Sequence, residues 1–281
     1  MTSPDARPET LEPGSSKTNQ VRGFGRTLRL LGFGWLLHFK MLSQSAFDGF
    51  LAILWPLFFA TVAFFVFRSG HGASALGPVA LGAAVMGVWT ATSVSASSAL
   101  QRERRLGTLE LLVAAPTSLA LVLLPVTLAT SSIGLYCIVA TLVWARVLFG
   151  IHVPVAHPLP FALGIVGIVV TIGSLGFLMA VAFVRSRRAW AIGALTEYPV
   201  WLVCGFLVPV SLLPGWVRPI SWALGPTWGM RAIRHGAFGG GRPWLDVLAC
   251  FGLAAAYVAL GVLVLDTVLD SARRRASLSL T

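Results

Sequence analysis

Long apolar stretches alternate with short polar or proline-rich interruptions along most of this chain. Six of the stretches are long enough to cross the ~30 Å hydrocarbon core of a bilayer as helices, at about 1.5 Å per residue. They cover residues 49–67, 75–100, 118–144, 159–184, 191–208 and 244–269. The pattern predicts an all-α integral membrane protein, with six transmembrane helices within residues 47–270.

A different pattern precedes the first stretch. Residues 1–20 are rich in Pro, Ser, Thr and acidic residues, which predicts a disordered cytoplasmic tail. Over residues 21–46, a helical projection places the basic residues on one side and a set of large apolar residues on the other. The basic side carries Arg22, Arg26, Arg29 and Lys40, and the apolar side carries Leu28, Leu31, Trp35, Phe39 and Leu42. This predicts an amphipathic interfacial helix in the headgroup region; the alternative is a helix buried against the rest of the protein.

The composition fits a membrane protein. Hydrophobic residues make up 56% of the chain and charged residues 11%, against about 25% charged in an ordinary soluble domain. A conventional soluble enzyme and a disordered chain are both excluded. The three cysteines, Cys137, Cys204 and Cys250, lie in apolar runs without metal-binding spacing, so we expect small buried side chains.

The net charge of +11 is unevenly distributed. With a cytoplasmic N-terminus, 15 of the 21 basic residues fall on the inner side and six on the outer side. The outer six are Arg68, Arg146, Arg218, Arg231, Arg234 and Arg242. Because basic residues favour the cytoplasmic side, both termini, including a tail over residues 271–281, are predicted to be cytoplasmic. The basic residues therefore indicate membrane lipids and topology, and no nucleic acid partner.

The connection before the last stretch, residues 209–243, is too apolar for a free loop and too interrupted for a span. It carries Pro209, Pro214, Pro219, Pro226, Pro243, Trp216, Trp222 and Trp228. This composition predicts an outer re-entrant segment of short helices, anchored in the outer leaflet by tryptophan.

The segment with the most specific pattern is cytoplasmic and covers residues 102–116. Its apolar residues Leu106, Leu109, Leu112 and Val113 recur at helical spacing, and Pro116 ends the helix. A short amphipathic helix that projects from a membrane protein needs a surface against which to bury its apolar side. That surface is a partner protein or, alternatively, the lipid surface itself.

Two motifs resemble those of a known family. Glu103, then Gly107-Thr108-Leu109-Glu110, then Pro116 look like the cytoplasmic signature of type-2 ABC exporter permeases, which include the daunorubicin-resistance-like membrane subunits. The outer connection is similar to the re-entrant segment of the same family. The matching residues there are Pro209, Leu213, Pro214, Gly215, Trp216, Pro226 and Arg231.

The resemblance implies that residues 102–116 form a coupling helix that docks on a separate ABC ATPase. Its docking residues would be Glu103, Arg105, Leu106, Gly107, Thr108, Leu109, Glu110 and Leu112. Two permease copies, identical or related, would work with two ATPase subunits in a bacterial plasma membrane. The cargo would be an amphipathic drug, natural product or lipid-like molecule, as in multidrug efflux and antibiotic resistance; a lipid-linked glycan is the alternative.

The chain is not expected to be an enzyme or to hold a cofactor. A phosphate-binding loop needs G-x-x-x-x-G-K-[ST], and neither lysine, Lys17 nor Lys40, has that context. ATP and Mg²⁺ would therefore be bound by the partner ATPase. His152 and His157 are the nearest approach to a metal motif, and two histidines beside prolines are more typical of a loop.

Polar and small residues within the spans leave alternatives open. Glu197 is either a functional intramembrane carboxylate, as an ion-coupled secondary transporter would need, or the partner of Arg185, Arg187 or Arg188. Glycines of the fourth span and hydroxyls of the second permit close helix packing, and the hydroxyls could alternatively line a passage. These residues are Gly164, Gly167, Gly173, Gly176, Thr90, Thr92, Ser93, Ser95, Ser97 and Ser98.

Overall fold

The regular structure in the computed structural model is entirely helical across the described residues, with no strand among them. These residues are 16–43, 60–66, 76–106, 119–182 and 189–278, with Leu54, Leu57 and Phe58. Within them, only the backbone is described at residues 16–24, 26, 94–106, 189–190, 192 and 268–278. The predicted all-α class is confirmed.

Eight α-helices and one short 3₁₀ turn have complete bounds within the described residues. They are α1 (Ser16–Ser43), α2 (Leu76–Leu106), α3 (Ala120–Phe149), α4 (Pro158–Ala182), α5 (Ala189–Val203), the 3₁₀ turn (Val210–Leu212), α6 (Arg218–Ala223), α7 (Gly225–Phe238) and α8 (Pro243–Leu278).

Four described helices are long and apolar enough to cross a membrane. These stretches are Leu76–Ser93, Ala120–Phe149, Pro158–Ala182 and Pro243–Thr267. They correspond to the second, third, fourth and sixth predicted spans. Of the first predicted span, residues 49–67, the structure describes Leu54, Leu57, Phe58 and residues 60–66, and all of these are helical.

The fifth apolar stretch ends earlier than predicted. Its helix α5 stops at Val203, whereas the sequence pattern carried the span to residue 208. Gly205 has φ of +75°, a left-handed conformation that glycine adopts without steric cost, and the N–H of Phe206 turns back to the Trp201 carbonyl. The apolar residues after Val203 therefore form a buried turn.

Two predicted tails are partly helical. Helix α1 begins at Ser16, within the tail predicted for residues 1–20, and α8 continues to Leu278, within the tail predicted for 271–281. Hydrophobic periodicity indicates a helix only where apolar residues recur, and it gives no signal for polar turns that extend a helix.

Helix α1 packs along α3. Trp35 Nε1 donates a hydrogen bond to Ser132 Oγ at 3.0 Å, and Phe39 stacks on Tyr136 with ring centroids 6.2 Å apart. Ser132 is 12 residues into α3, about 18 Å along its axis. This half of α1 therefore contacts protein, as the alternative interpretation expected. Leu28, predicted on the same apolar side, is exposed.

Glycines allow the central helices to approach closely. A Cβ added to Gly134 on α3 would lie 2.7 Å from the Val88 backbone on α2. One added to Gly173 on α4 would lie 2.6 Å from Ser131 Oγ on α3. Buried hydroxyls in these helices bond to their own backbone, as Thr92 Oγ1 does to the Val88 carbonyl at 2.8 Å. Both observations favour packing over a polar passage.

Candidate functional site

The predicted coupling segment begins at the end of α2. Residues 102–106, including Glu103, Arg105 and Leu106, are the last residues of α2, instead of the start of a separate helix. The docking residues Gly107, Thr108, Leu109, Glu110 and Leu112 lie outside the described residues. Because α2 continues to Leu106 through the polar residues Gln101–Arg105, the segment follows a helix that extends past the apolar sequence.

At the opposite end of α2, the connection before α8 folds back into the bundle. A Cβ added to Gly236 on α7 would meet Phe161 on α4 at 2.7 Å, and one added to Gly229 would meet Ile168 at 3.0 Å. Gly225, which begins α7, lies against Thr171. Thr171 is 13 residues into α4, so α7 starts about 20 Å along that helix and runs back towards its first turn.

Glycine and proline in the sequence explain this local structure. Gly225, Gly229 and Gly236 all face α4, and any side chain there would force the helices apart. Leu224 is extended, with φ of −95° and ψ of 114°, and so separates α6 from α7. Pro226 lies in the first turn of α7, where its missing N–H costs no helical hydrogen bond.

Tyr257 on α8 fixes the junction between α6 and α7. The backbone N–H of Gly225 donates to its hydroxyl oxygen at 2.9 Å, and that hydroxyl donates to the Ala223 carbonyl at 2.7 Å. One side chain therefore satisfies two backbone groups that the break between the helices leaves without helical partners.

A buried acid connects α7 to α8. Asp246, in the first turn of α8, is 2% exposed, with Arg231 Nε 3.3 Å from Oδ1 and His235 Nδ1 2.6 Å from Oδ2. The Arg231 guanidinium also lies 4.7 Å from the centre of the Trp228 ring. The sequence singled out Arg231, but it did not identify Asp246 or His235. Their only signal is the spacing of four residues between Arg231 and His235, which places both on one side of a helix.

Beside these residues lies a cavity of about 540 Å³. Its polar lining includes Arg218, Arg231, Arg234 and His235, and it contains no Asp or Glu from the part of the chain that the structure describes. Arg234 Nη2 donates to the Phe206 carbonyl at 3.0 Å. Burial lowers the pKa of the Arg234 guanidinium to about 10, so it still carries a full charge at neutral pH.

The other predicted residues of the outer connection differ in their positions relative to the cavity. Pro209 precedes the 3₁₀ turn and lines the cavity. Pro214 and Gly215 form an exposed turn, and Trp216 is 74% exposed. The structure thus brings Pro209 and Arg231 to one cavity and leaves Trp216 at the surface.

Glu197 contacts helix α2, a partner that the sequence did not predict. Thr90 Oγ1 on α2 donates a hydrogen bond to Glu197 Oε1 on α5. Arg185, Arg187 and Arg188, the alternative partners, lie outside the described residues. Glu197 therefore connects α2 and α5 through a hydrogen bond.

The two candidate metal-ligating histidines lie in the connection between α3 and α4. The backbone N–H of His157 donates to the Gly236 carbonyl at 2.8 Å, and His152 Nδ1 lies 2.9 Å from the Gly150 carbonyl. In the part of the chain that the structure describes, no group of three or more His, Cys, Asp or Glu is placed to hold a metal ion.

Comparison with known families assigns the class of protein. Residues 29–238 match the family described as the ABC-2 type transporter membrane domain, so the chain belongs to that family. It is the permease component of an ABC transporter and a multi-pass membrane protein. Membership implies an ABC ATPase subunit as partner, since these membrane domains have no ATPase site of their own. A search among curated proteins found no match.

Proposed function

We propose that this permease is the membrane subunit of an ATP-driven exporter of the daunorubicin-resistance-like group. Two permease copies and two ATPase subunits would assemble in a bacterial plasma membrane, with ATP and Mg²⁺ held by the ATPases. Six spans would cross the bilayer, with both termini cytoplasmic. The cargo would be an amphipathic drug, natural product or lipid-like molecule.

The observation that carries this proposal is the family match over residues 29–238, which includes both the coupling segment 102–116 and most of the outer connection. The structure supports distinct roles for the two regions. Residues 102–106 of the coupling segment are the end of α2, whereas Pro78, in the first turn of α2, lines the outer cavity. The start of the proposed coupling segment and the cavity therefore lie at opposite ends of one helix.

The orientation follows from the charges. In the proposed topology, 15 basic residues lie on the cytoplasmic side, including Arg102, Arg104 and Arg105 at the end of α2. The first half of α1, which carries Arg22, Arg26 and Arg29, would lie at the same membrane surface. Residues 209–243 would then form the outer re-entrant segment, in which α7 lies alongside α4 without crossing the bilayer.

The experiment is co-expression of the permease with an ABC ATPase encoded beside it. We expect the ATPase to co-purify with the native permease and to be lost with Glu110→Arg, because the charge reversal lies in the proposed docking helix. Glu12→Arg, the same reversal in the N-terminal tail, is the matched control and should retain the ATPase. Equal recovery with both variants would refute the docking assignment.

Two alternatives give different results. An ion-coupled secondary transporter, favoured by the position of Glu197 between α2 and α5, would transport without any ATPase and would lose activity in Glu197→Gln. A lipid-linked glycan exporter of the same family would retain the ATPase dependence. It would accumulate its glycan inside cells when the permease is deleted, with no change in drug sensitivity.

A further inference from the structure

The outer cavity combines an apolar wall with a cationic one. Met230 and Trp222 belong to its apolar lining, and Arg218 and Arg234 to its cationic lining. Pro78 on α2 closes another side. Because α7 lies along the outer half of α4 in the proposed topology, the cavity would be at the level of the outer leaflet.

Two of the three arginines that line this cavity have no acidic partner among the described residues. Asp246 neutralises Arg231, and it also contacts His235. Within the described residues, the hydrogen-bond partners of Arg218 and Arg234 are backbone carbonyls: Arg218 Nη2 donates to Ser211 at 3.1 Å, and Arg234 Nη2 donates to Phe206 at 3.0 Å. Arg234 Nε is buried and has no hydrogen-bond partner within the described chain.

Such an arrangement is unfavourable for Arg234, whose Nε is buried. A guanidinium removed from water loses solvation that carbonyl contacts replace only in part, and an unsatisfied buried N–H adds to that cost. An oxyanion would offset both, because the planar guanidinium matches the geometry of a carboxylate or a phosphate.

We propose that this cavity binds the anionic phosphate or carboxylate group of an amphiphile. Arg218 and Arg234 contact the anion, and Trp222 and Met230 contact the first part of the apolar chain. The volume of about 540 Å³ exceeds that of an inorganic ion and suits a headgroup with part of its tail. The inference does not depend on the proposed coupling to an ATPase, since binding requires the permease alone.

The test uses the purified full-length permease in dodecyl maltoside, without an ATPase. Thermal unfolding is followed with a thiol-reactive fluorophore, because Cys137, Cys204 and Cys250 are buried in the folded protein. The protein is titrated with n-dodecyl phosphate or with inorganic phosphate. We expect stabilisation that saturates with dodecyl phosphate and is much weaker with inorganic phosphate.

Arg218→Gln is the principal variant, because Arg218 is exposed and its side chain donates to the Ser211 carbonyl, so its loss should leave the fold intact. We expect it to weaken the apparent affinity for dodecyl phosphate about tenfold, as expected for one charge-assisted hydrogen bond. Arg242→Gln is the matched control, since Arg242 is exposed and is not among the residues that line the cavity. Arg234→Lys, which keeps the charge but loses the planar fork, should weaken binding to a smaller extent.

Equal affinities in Arg218→Gln and Arg242→Gln would overturn the proposal, as would equal stabilisation by inorganic phosphate. The same titration in nanodiscs identifies the source of the amphiphile. If phosphatidylglycerol nanodiscs abolish the response that phosphatidylcholine nanodiscs retain, a bilayer lipid occupies the cavity. If both retain it, the cavity binds a free amphiphile.

Discussion

Tyr257 on α8 accepts a hydrogen bond from the backbone N–H of Gly225 at 2.9 Å. Gly225 lies against Thr171, which is 13 residues into α4. The contact holds the start of α7 inside the bundle, where water is scarce and unsatisfied backbone groups are costly. The geometry of the outer connection therefore depends on a side chain of the last transmembrane helix.

Tyr257→Phe removes both hydrogen bonds at this junction while keeping the ring. We expect a loss of about 1–3 kcal/mol in stability, because the Gly225 N–H and the Ala223 carbonyl lose their partner. The measurement is thermal unfolding of the purified protein with the thiol-reactive fluorophore. Tyr198→Phe on α5, where the side chain is 60% exposed, is the matched control and should unfold like the native protein.

Asp246→Asn removes the negative charge that Arg231 and His235 share. We expect a loss of about 1.5–3 kcal/mol, the range for hydrogen bonds to charged groups, because the amide cannot balance Arg231. Asp266→Asn, on the exposed side of the same helix, makes the same chemical change outside the cluster. If both variants unfold at the same temperature, the ion pair does not hold α7 to α8.

Hydrophobicity predicted the four helices that are long and apolar enough to cross a membrane, because a helix that crosses lipid must be apolar over its whole length. It could not predict where α5 ends. Residues 204–208 are as apolar as the helix before them, and the turn depends on Gly205 and on packing against Gly82 of α2. That contact joins residues more than 100 positions apart and has no local signature.

The outer site was predictable only in part. Proline and tryptophan spacing indicated the segment 209–243 and, through the family resemblance, Arg231. Asp246 falls within the sixth predicted span. It has no local signal of its own, because its partners lie on α7, across the break at Gly239–Gly241. The cluster of cations around the cavity arises from tertiary folding, which brings Arg218 and Arg234 to one cavity from two helices.

Gly82 is expected to be the most sensitive glycine of α2. A Cβ at this position would overlap the Phe206 carbonyl oxygen, which is also the acceptor for Arg234. Gly82→Ala should therefore destabilise the protein, although alanine is normally about 1 kcal/mol better than glycine within a helix.

The control is Gly252→Ala on α8, where an added Cβ meets nothing within 4 Å. It should leave the unfolding temperature unchanged or raise it. A Gly82→Ala protein as stable as the Gly252→Ala protein would contradict the close packing of the 204–206 turn on α2.

The proposed topology predicts labelling from a defined side. Val155, 47% exposed in the connection between α3 and α4, would be outside the cell, and Ser277 near the end of α8 would be inside. A membrane-impermeant maleimide should label Val155→Cys in intact cells and Ser277→Cys only after permeabilisation. The reverse pattern would show that the assignment of the two sides is wrong.

The central claim is that residues 102–116 meet the ATPase on the cytoplasmic side. The most direct measurement is photo-crosslinking in cells that express the permease with its ATPase, with benzoylphenylalanine in place of Leu109 or, as control, of Trp216 in the outer connection. We predict a crosslink to the ATPase from position 109 and none from position 216. A crosslink from position 216, or its absence at position 109 in a complex that still co-purifies, would contradict the account.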